Sequence, residues 1–104
     1  MLKIKVSKEA GQELEKAAEW YEKEQRGLGG RLLLAFEHAV KLLEEPNPPL
    51  MPVQGEAAKL GAKKLILHRF PFSIITVELN QSIIIVALAH HSRKPAYWKL
   101  RMPQ

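Results

Sequence analysis

Cysteine and aspartate are both missing from this 104-residue chain. Without a thiol there is no disulfide framework, no thiolate metal site and no cysteine nucleophile, and a reducing compartment is the simpler home. Without aspartate, and with nearly all glutamate on segments that pattern as helices, no carboxylate cluster is expected to hold Mg²⁺ for phosphoryl chemistry. Any cutting of nucleic acid by this chain would therefore proceed without a metal. Long apolar runs are missing too. The longest, Ile83 to Ala89, falls far short of a bilayer span, and the N-terminus alternates Leu2, Ile4 and Val6 with Lys3 and Lys5 where a signal segment would be apolar. A soluble, cytoplasmic protein without membrane contact is expected. No glycine-rich phosphate loop, Walker motif, Ser-His-Asp order or zinc-ligand spacing occurs, which removes most support for a conventional small-molecule enzyme; no cofactor is expected.

What is present is unevenly distributed. The length suits one domain spanning residues 1–104. The formal net charge is +5, yet residues 1–56 hold eight Lys and Arg against ten Glu, whereas residues 57–104 hold eight against Glu78 alone. The basic character belongs to the C-terminal half, the distribution expected where a polyanion or an acidic protein docks on one face. Ordinary solvated lysines are the plain alternative.

Leu2 to Val6 reads as a first strand, with Ser7 as N-cap of a helix from about Lys8 to Arg26. Ala10, Leu14, Ala17, Ala18 and Tyr21 make one stripe of that helix. Gly27-Leu28-Gly29-Gly30 breaks it, and a second stripe follows at Leu32, Leu33, Phe36, Ala39, Val40 and Leu43, so an antiparallel helix hairpin is predicted. Leu34 projects away from Phe36 and Trp20 borders the first stripe, which leaves both partly exposed. Pro46, Pro48, Pro49 and Pro52 predict a stiff connector without regular structure to about Ala57. Three strands are predicted after it: Lys63 to Arg69, Phe72 to Leu79 and Ser82 to Ala89, the last two joined by a tight turn at Asn80-Gln81. The final strand is apolar on both faces and belongs inside the sheet. The predicted class is α+β in the order β-α-α-β-β-β, with one mostly antiparallel sheet and the helices on one face.

Candidate chemistry collects after the last strand. His90 and His91 should point to opposite faces of the strand end, which disfavours a shared metal ion and suits either structural capping or acid–base work near neutral pH. Arg93, Lys94, Lys99 and Arg101 interleave with Tyr97 and Trp98, the composition of a surface that neutralises phosphates and stacks on bases. Alternatively Tyr97 and Trp98 fold back to close the sheet. Of Lys63 and Lys64, which lie on opposite faces, one is expected to join the cationic patch.

The segment Ala17-Ala18-Glu19-Trp20-Tyr21-Glu22, the junction Gly27-Leu28-Gly29, Arg69-Phe70-Pro71-Phe72 and the closing His90-His91-Ser92-Arg93-Lys94-Pro95-Ala96-Tyr97-Trp98 together resemble the RelE/ParE superfamily of bacterial toxins, often labelled plasmid-stabilisation proteins. The resemblance covers nearly the whole chain. It implies a growth-inhibiting toxin held in a hetero-oligomer by a small cognate antitoxin from an adjacent gene. It also implies one of two targets: DNA gyrase, poisoned by the ParE-like branch without chemistry of its own, or messenger RNA on the ribosome, cleaved without metal by the RelE-like branch. For the cleaving branch, Arg93 and Tyr97 match the family's terminal arginine and tyrosine, Lys64 matches a strand lysine, and His90 and His91 offer acid–base groups. Ile66 and Ser73 stand where a second lysine and an arginine are expected. Each such cation is worth several kcal/mol of barrier, so their loss favours gyrase. Arg69, Lys94, Trp98 and Lys99 are then candidates for target or nucleic-acid contact, and Trp20 and Leu34 for antitoxin contact. An antitoxin-binding module that has lost activity is a third reading.

Overall fold

The computed structural model describes residues 3–102, so Leu2, the expected start of the first strand, lies outside the described residues. Strand β1 (Lys3–Val6) hands the chain to Ser7, whose side chain accepts from the Ala10 N–H at 3.1 Å and caps helix α1 (Lys8–Glu24). The helix stops two residues before the expected Arg26, because Gln25 is already extended. Helix α2 (Leu28–Leu43) then starts after Gly27, whose φ of 89° is the left-handed conformation that glycine adopts freely.

Helix α2 has no N-cap side chain of its own. Glu22 on α1 supplies one, accepting from the backbone N–H groups of Gly27 at 2.9 Å and Gly29 at 3.0 Å. Gly29 lets the two helices touch: a Cβ there would lie 2.4 Å from the carbonyl oxygen of Ala18. Leu32, Phe36, Ala39 and Leu43 turn inward as expected, but Leu33 is 41% exposed. It sits about 100° round the helix from Leu32, off the buried stripe.

The sheet has the order β1-β5-β4-β3-β2, where the remaining strands are β2 (Met51–Pro52), β3 (Lys63–Ile66), β4 (Phe72–Leu79) and β5 (Ser82–His90). Strand β1 runs parallel to β5, and every other pairing is antiparallel. The α+β class and the interior position of β5 match the sequence reading. Asn80 and Gln81 both have positive φ, 50° and 62°, as the type I′ hairpin turn between β4 and β5 requires.

Two expectations need correction. Strand β3 ends at Ile66 and not at Arg69, because Arg69 takes a φ of 69° in the turn that leads into β4. The proline-rich connector is not devoid of regular structure: Met51 and Pro52 pair with Lys64 and Lys63, and Glu56–Lys59 forms a one-turn helix, α3. Proline is tolerated there because β2 is an edge strand.

Each face of the sheet has its own cover. The helix hairpin lies over Leu65, Phe72, Ile74, Ile83, Ile85 and Leu88. The opposite face, with Ile75, Val77, Val86 and Ala87, is closed by Ala57, Ala62, Trp98 and Met102 from the connector and the C-terminal tail. A β-bulge divides β5: Ile75 pairs with Ala87 but Thr76 pairs with Ile85, so Val86 is the extra residue. The bulge inverts the alternation. Ile83 and Ile85 face the helices before it and Leu88 does so after it. His90 consequently lands on the helix side, edge-to-face with Phe72 at 5.0 Å, and His91 on the other.

Candidate functional site

Beyond the end of β5 the chain turns at His91 and Ser92, passes Pro95, and kinks back at Ala96, which adopts a φ of 59°. The return forms a concavity of about 330 Å³ between the tail and the sheet face opposite the helices. Its lining includes Lys64, His91, Arg93, Lys94 and Tyr97, drawn from β3 and the tail, and His90 at the end of β5, whose ring packs on the helix side against Phe72. Residues 33 positions apart in the chain thus converge on one place. Lys64, not Lys63, joins the cations, because Lys63 points to the other face beside Leu65 and Leu67.

Among the described residues, no carboxylate lines this concavity. Among the described residues the ion pairs are Lys99 with Glu56, at 2.5 Å, and Arg101 with Glu13, at 2.8 Å. Lys64, Arg93 and Lys94 therefore leave an uncompensated positive field in the concavity. The imidazoles are tethered. His91 Nε2 lies 3.0 Å from the Ser73 hydroxyl, while His90 Nδ1 accepts from the Ser92 N–H at 3.0 Å and so leaves its proton on Nε2 in the neutral ring.

Tyr97 divides its ring from its hydroxyl. The ring lines the concavity, with the Arg93 guanidinium carbon 3.9 Å from its centroid, a cation–π stack. The hydroxyl points inward and donates to Glu13. Burial, with the Glu13 hydrogen bond and charge second, pushes the phenol well above its ordinary range. A phenol committed in this way is poorly placed to exchange protons with a substrate.

Glu13 is the residue that sequence reasoning missed. From α1 it accepts from the Leu88 N–H at 3.1 Å, from Tyr97 and from both terminal nitrogens of Arg101, at 2.8 and 3.3 Å. Arg101 also donates to the Val86 carbonyl at 3.1 Å, and the Glu13 hydrogen bond is the main cause of its raised pKa. The cluster has a backbone reason. Strand β1 pairs with β5 only as far as Ile85, so beyond the bulge no strand among the described residues flanks that edge of β5. Glu13 and Arg101 satisfy the backbone groups left over. One glutamate on a charged helix gives no local sign of this, and only the pairing of helix with tail reveals it.

The other candidates are placed differently. Trp98 is 4% exposed and folds back into the second core, where it also contributes to the wall of the concavity. Lys99 is turned toward Glu56 on α3. Arg69 lines a different groove of about 870 Å³, together with Leu34, Leu42, Ile66 and Phe70 on its apolar wall and Arg31 nearby. Leu34 is 65% exposed and Trp20 58%; Trp20 lies outside the groove lining but packs edge-to-face on Tyr21, which belongs to it.

No protein-family model matches the sequence, and no curated protein does. Among solved structures, a chain of the chromosomal ParDE TA system from P. aeruginosa is similar, with a TM-score of 0.73 and 20% identity over 86% of this chain and 96% of that one. The likeness extends over almost the whole of both chains, and the fold of this protein is the fold of that ParDE chain.

Proposed function

We propose that residues 1–104 act as the toxin of a type II toxin–antitoxin pair, and that DNA gyrase is the target. The fold shared with a chain of a ParDE TA system supports the toxin role. One observation carries the preference for gyrase: the concavity holds cations with no ion-pair partner among the described residues, yet its phenol is tied to Glu13. Such a surface is equipped to grip an anionic partner rather than to break a bond in it. Ile66 and Ser73, apolar or neutral where the cleaving branch of the resemblance has cations, point the same way.

The cognate antitoxin fits the second surface. The groove beside α2 combines an apolar wall with Arg31, Arg69, His38 and His68, a composition suited to an amphipathic segment bearing carboxylates. Leu34 is the apolar anchor of that interface, and Trp20 extends it across α1.

Ribosome-dependent RNA cleavage is the rival, favoured by His91, Lys64 and Arg93 sharing one concavity. Purified protein mixed with gyrase and supercoiled plasmid is expected to accumulate linear DNA after the complexes are denatured. Translating ribosomes treated in parallel should yield no codon-phased cuts. Cuts that vanish in Arg93→Ala, with plasmid untouched, would replace the gyrase reading with the rival.

A further inference from the structure

The cluster that seals the edge of β5 touches the concavity at one point, the ring of Tyr97. Its hydroxyl is held by Glu13 on the inner side, while its face carries Arg93 on the outer side, with Arg101 a further 5.2 Å from the ring centroid. Arg93 itself is exposed, and its one hydrogen bond among the described residues is from its backbone N–H to the His90 carbonyl at 3.0 Å. No carboxylate among the described residues pairs with it. An unpaired arginine on an exposed turn would ordinarily sample many rotamers and lose that freedom on binding. Here the aromatic face limits the sampling in advance. Glu13 spends its own charge on Arg101, so it steadies the ring without neutralising the concavity.

We propose that Glu13 is a positioning residue: by fixing Tyr97 it presets the Arg93 guanidinium to receive a phosphate-type oxyanion in the concavity. The proposal rests on reading the concavity as a target-contacting surface, but it is tested without gyrase or ribosomes. Tyr97 then works as a platform and not as a proton donor, and Glu13 acts at a distance through it.

The test is nuclear magnetic resonance on the full chain, made by cell-free synthesis, with inorganic pyrophosphate as probe. In the wild type the Arg93 side-chain methylene protons should be shifted upfield by the Tyr97 ring current, and pyrophosphate should perturb the Arg93 Nε–H. Tyr97→Leu should abolish the ring-current shift. Glu13→Ala should diminish it and weaken pyrophosphate binding severalfold. Glu13→Gln, which keeps an acceptor for the phenol, should fall between Glu13→Ala and the wild type. Amide shifts of the helix hairpin report whether each variant is folded, and Tyr97→Phe serves if Glu13→Ala is not: it keeps the ring and should keep part of the shift. A merely structural Glu13 would lower stability yet leave the Arg93 shift and pyrophosphate affinity of the folded variants unchanged, and that result overturns the proposal. So does a wild-type Arg93 with no ring-current shift or no response to pyrophosphate. A wild type that leaves gyrase untouched while meeting these expectations would end the gyrase reading and spare this one.

Discussion

Tyr97 was legible as a residue of interest from its place among Arg93, Lys94 and Trp98, but its chemistry was not. The sequence offered a terminal tyrosine beside cations, and the folded chain buries its hydroxyl against Glu13. The folded-state pKa is raised above the ordinary value of about 10, so the stability this group contributes is fully present below that pH and is lost as the pH climbs toward the folded value. In a Tyr21→Phe variant Tyr97 is the sole tyrosine. Its phenolate absorbance should stay near zero at pH about 10 while the chain remains folded, and should rise only at higher pH or on unfolding. A phenolate transition at about pH 10 in the folded chain would contradict the Glu13 contact. Glu13, by contrast, was illegible because its partners come from β5 and the tail, 75 to 88 positions away.

At the scale of elements, the helix hairpin shows how neighbouring glycines can do opposite work. Gly29 stands where a Cβ would collide with the Ala18 carbonyl, whereas Gly30 faces open space. Gly29→Ala should therefore destabilise the chain by about 1–3 kcal/mol. Gly30→Ala, relieved of glycine's backbone entropy inside a helix, should stabilise it by up to about 1 kcal/mol. Urea denaturation of the two variants checks the pair, and an equal response would refute the close helix contact. The helices were readable because their apolar periods are set by the core they face, as with Leu32, Phe36, Ala39 and Leu43. The bulge at Val86 was not, because Ile83 to Ala89 is apolar at every position and carries no phase from which a shift could be seen. Nor was β2, since a proline reads as a breaker unless its strand is known to lie at an edge.

On the scale of the whole molecule, there are two surfaces of different character: a cationic concavity between the sheet and the tail, and an apolar groove between α2 and the turn after β3, with a basic rim. The charge asymmetry of the sequence anticipated the first, and the outward-facing Leu34 hinted at the second. The cover of the second sheet face by Trp98 and Met102 was visible only as an alternative, because the tail that supplies it is also the most basic stretch of the chain. Among the described residues, no helix is long and apolar enough to cross a membrane. If the concavity is the working surface of a toxin, its cations should be needed for toxicity and dispensable for the fold. The most direct measurement is growth of a bacterial culture on induced expression of the wild type and of an Arg93→Ala, Lys94→Ala double variant shown to be folded. Arrest by the wild type, absent in the double variant, is expected. Unimpeded growth with the wild type, or equal arrest by the double variant, would contradict it.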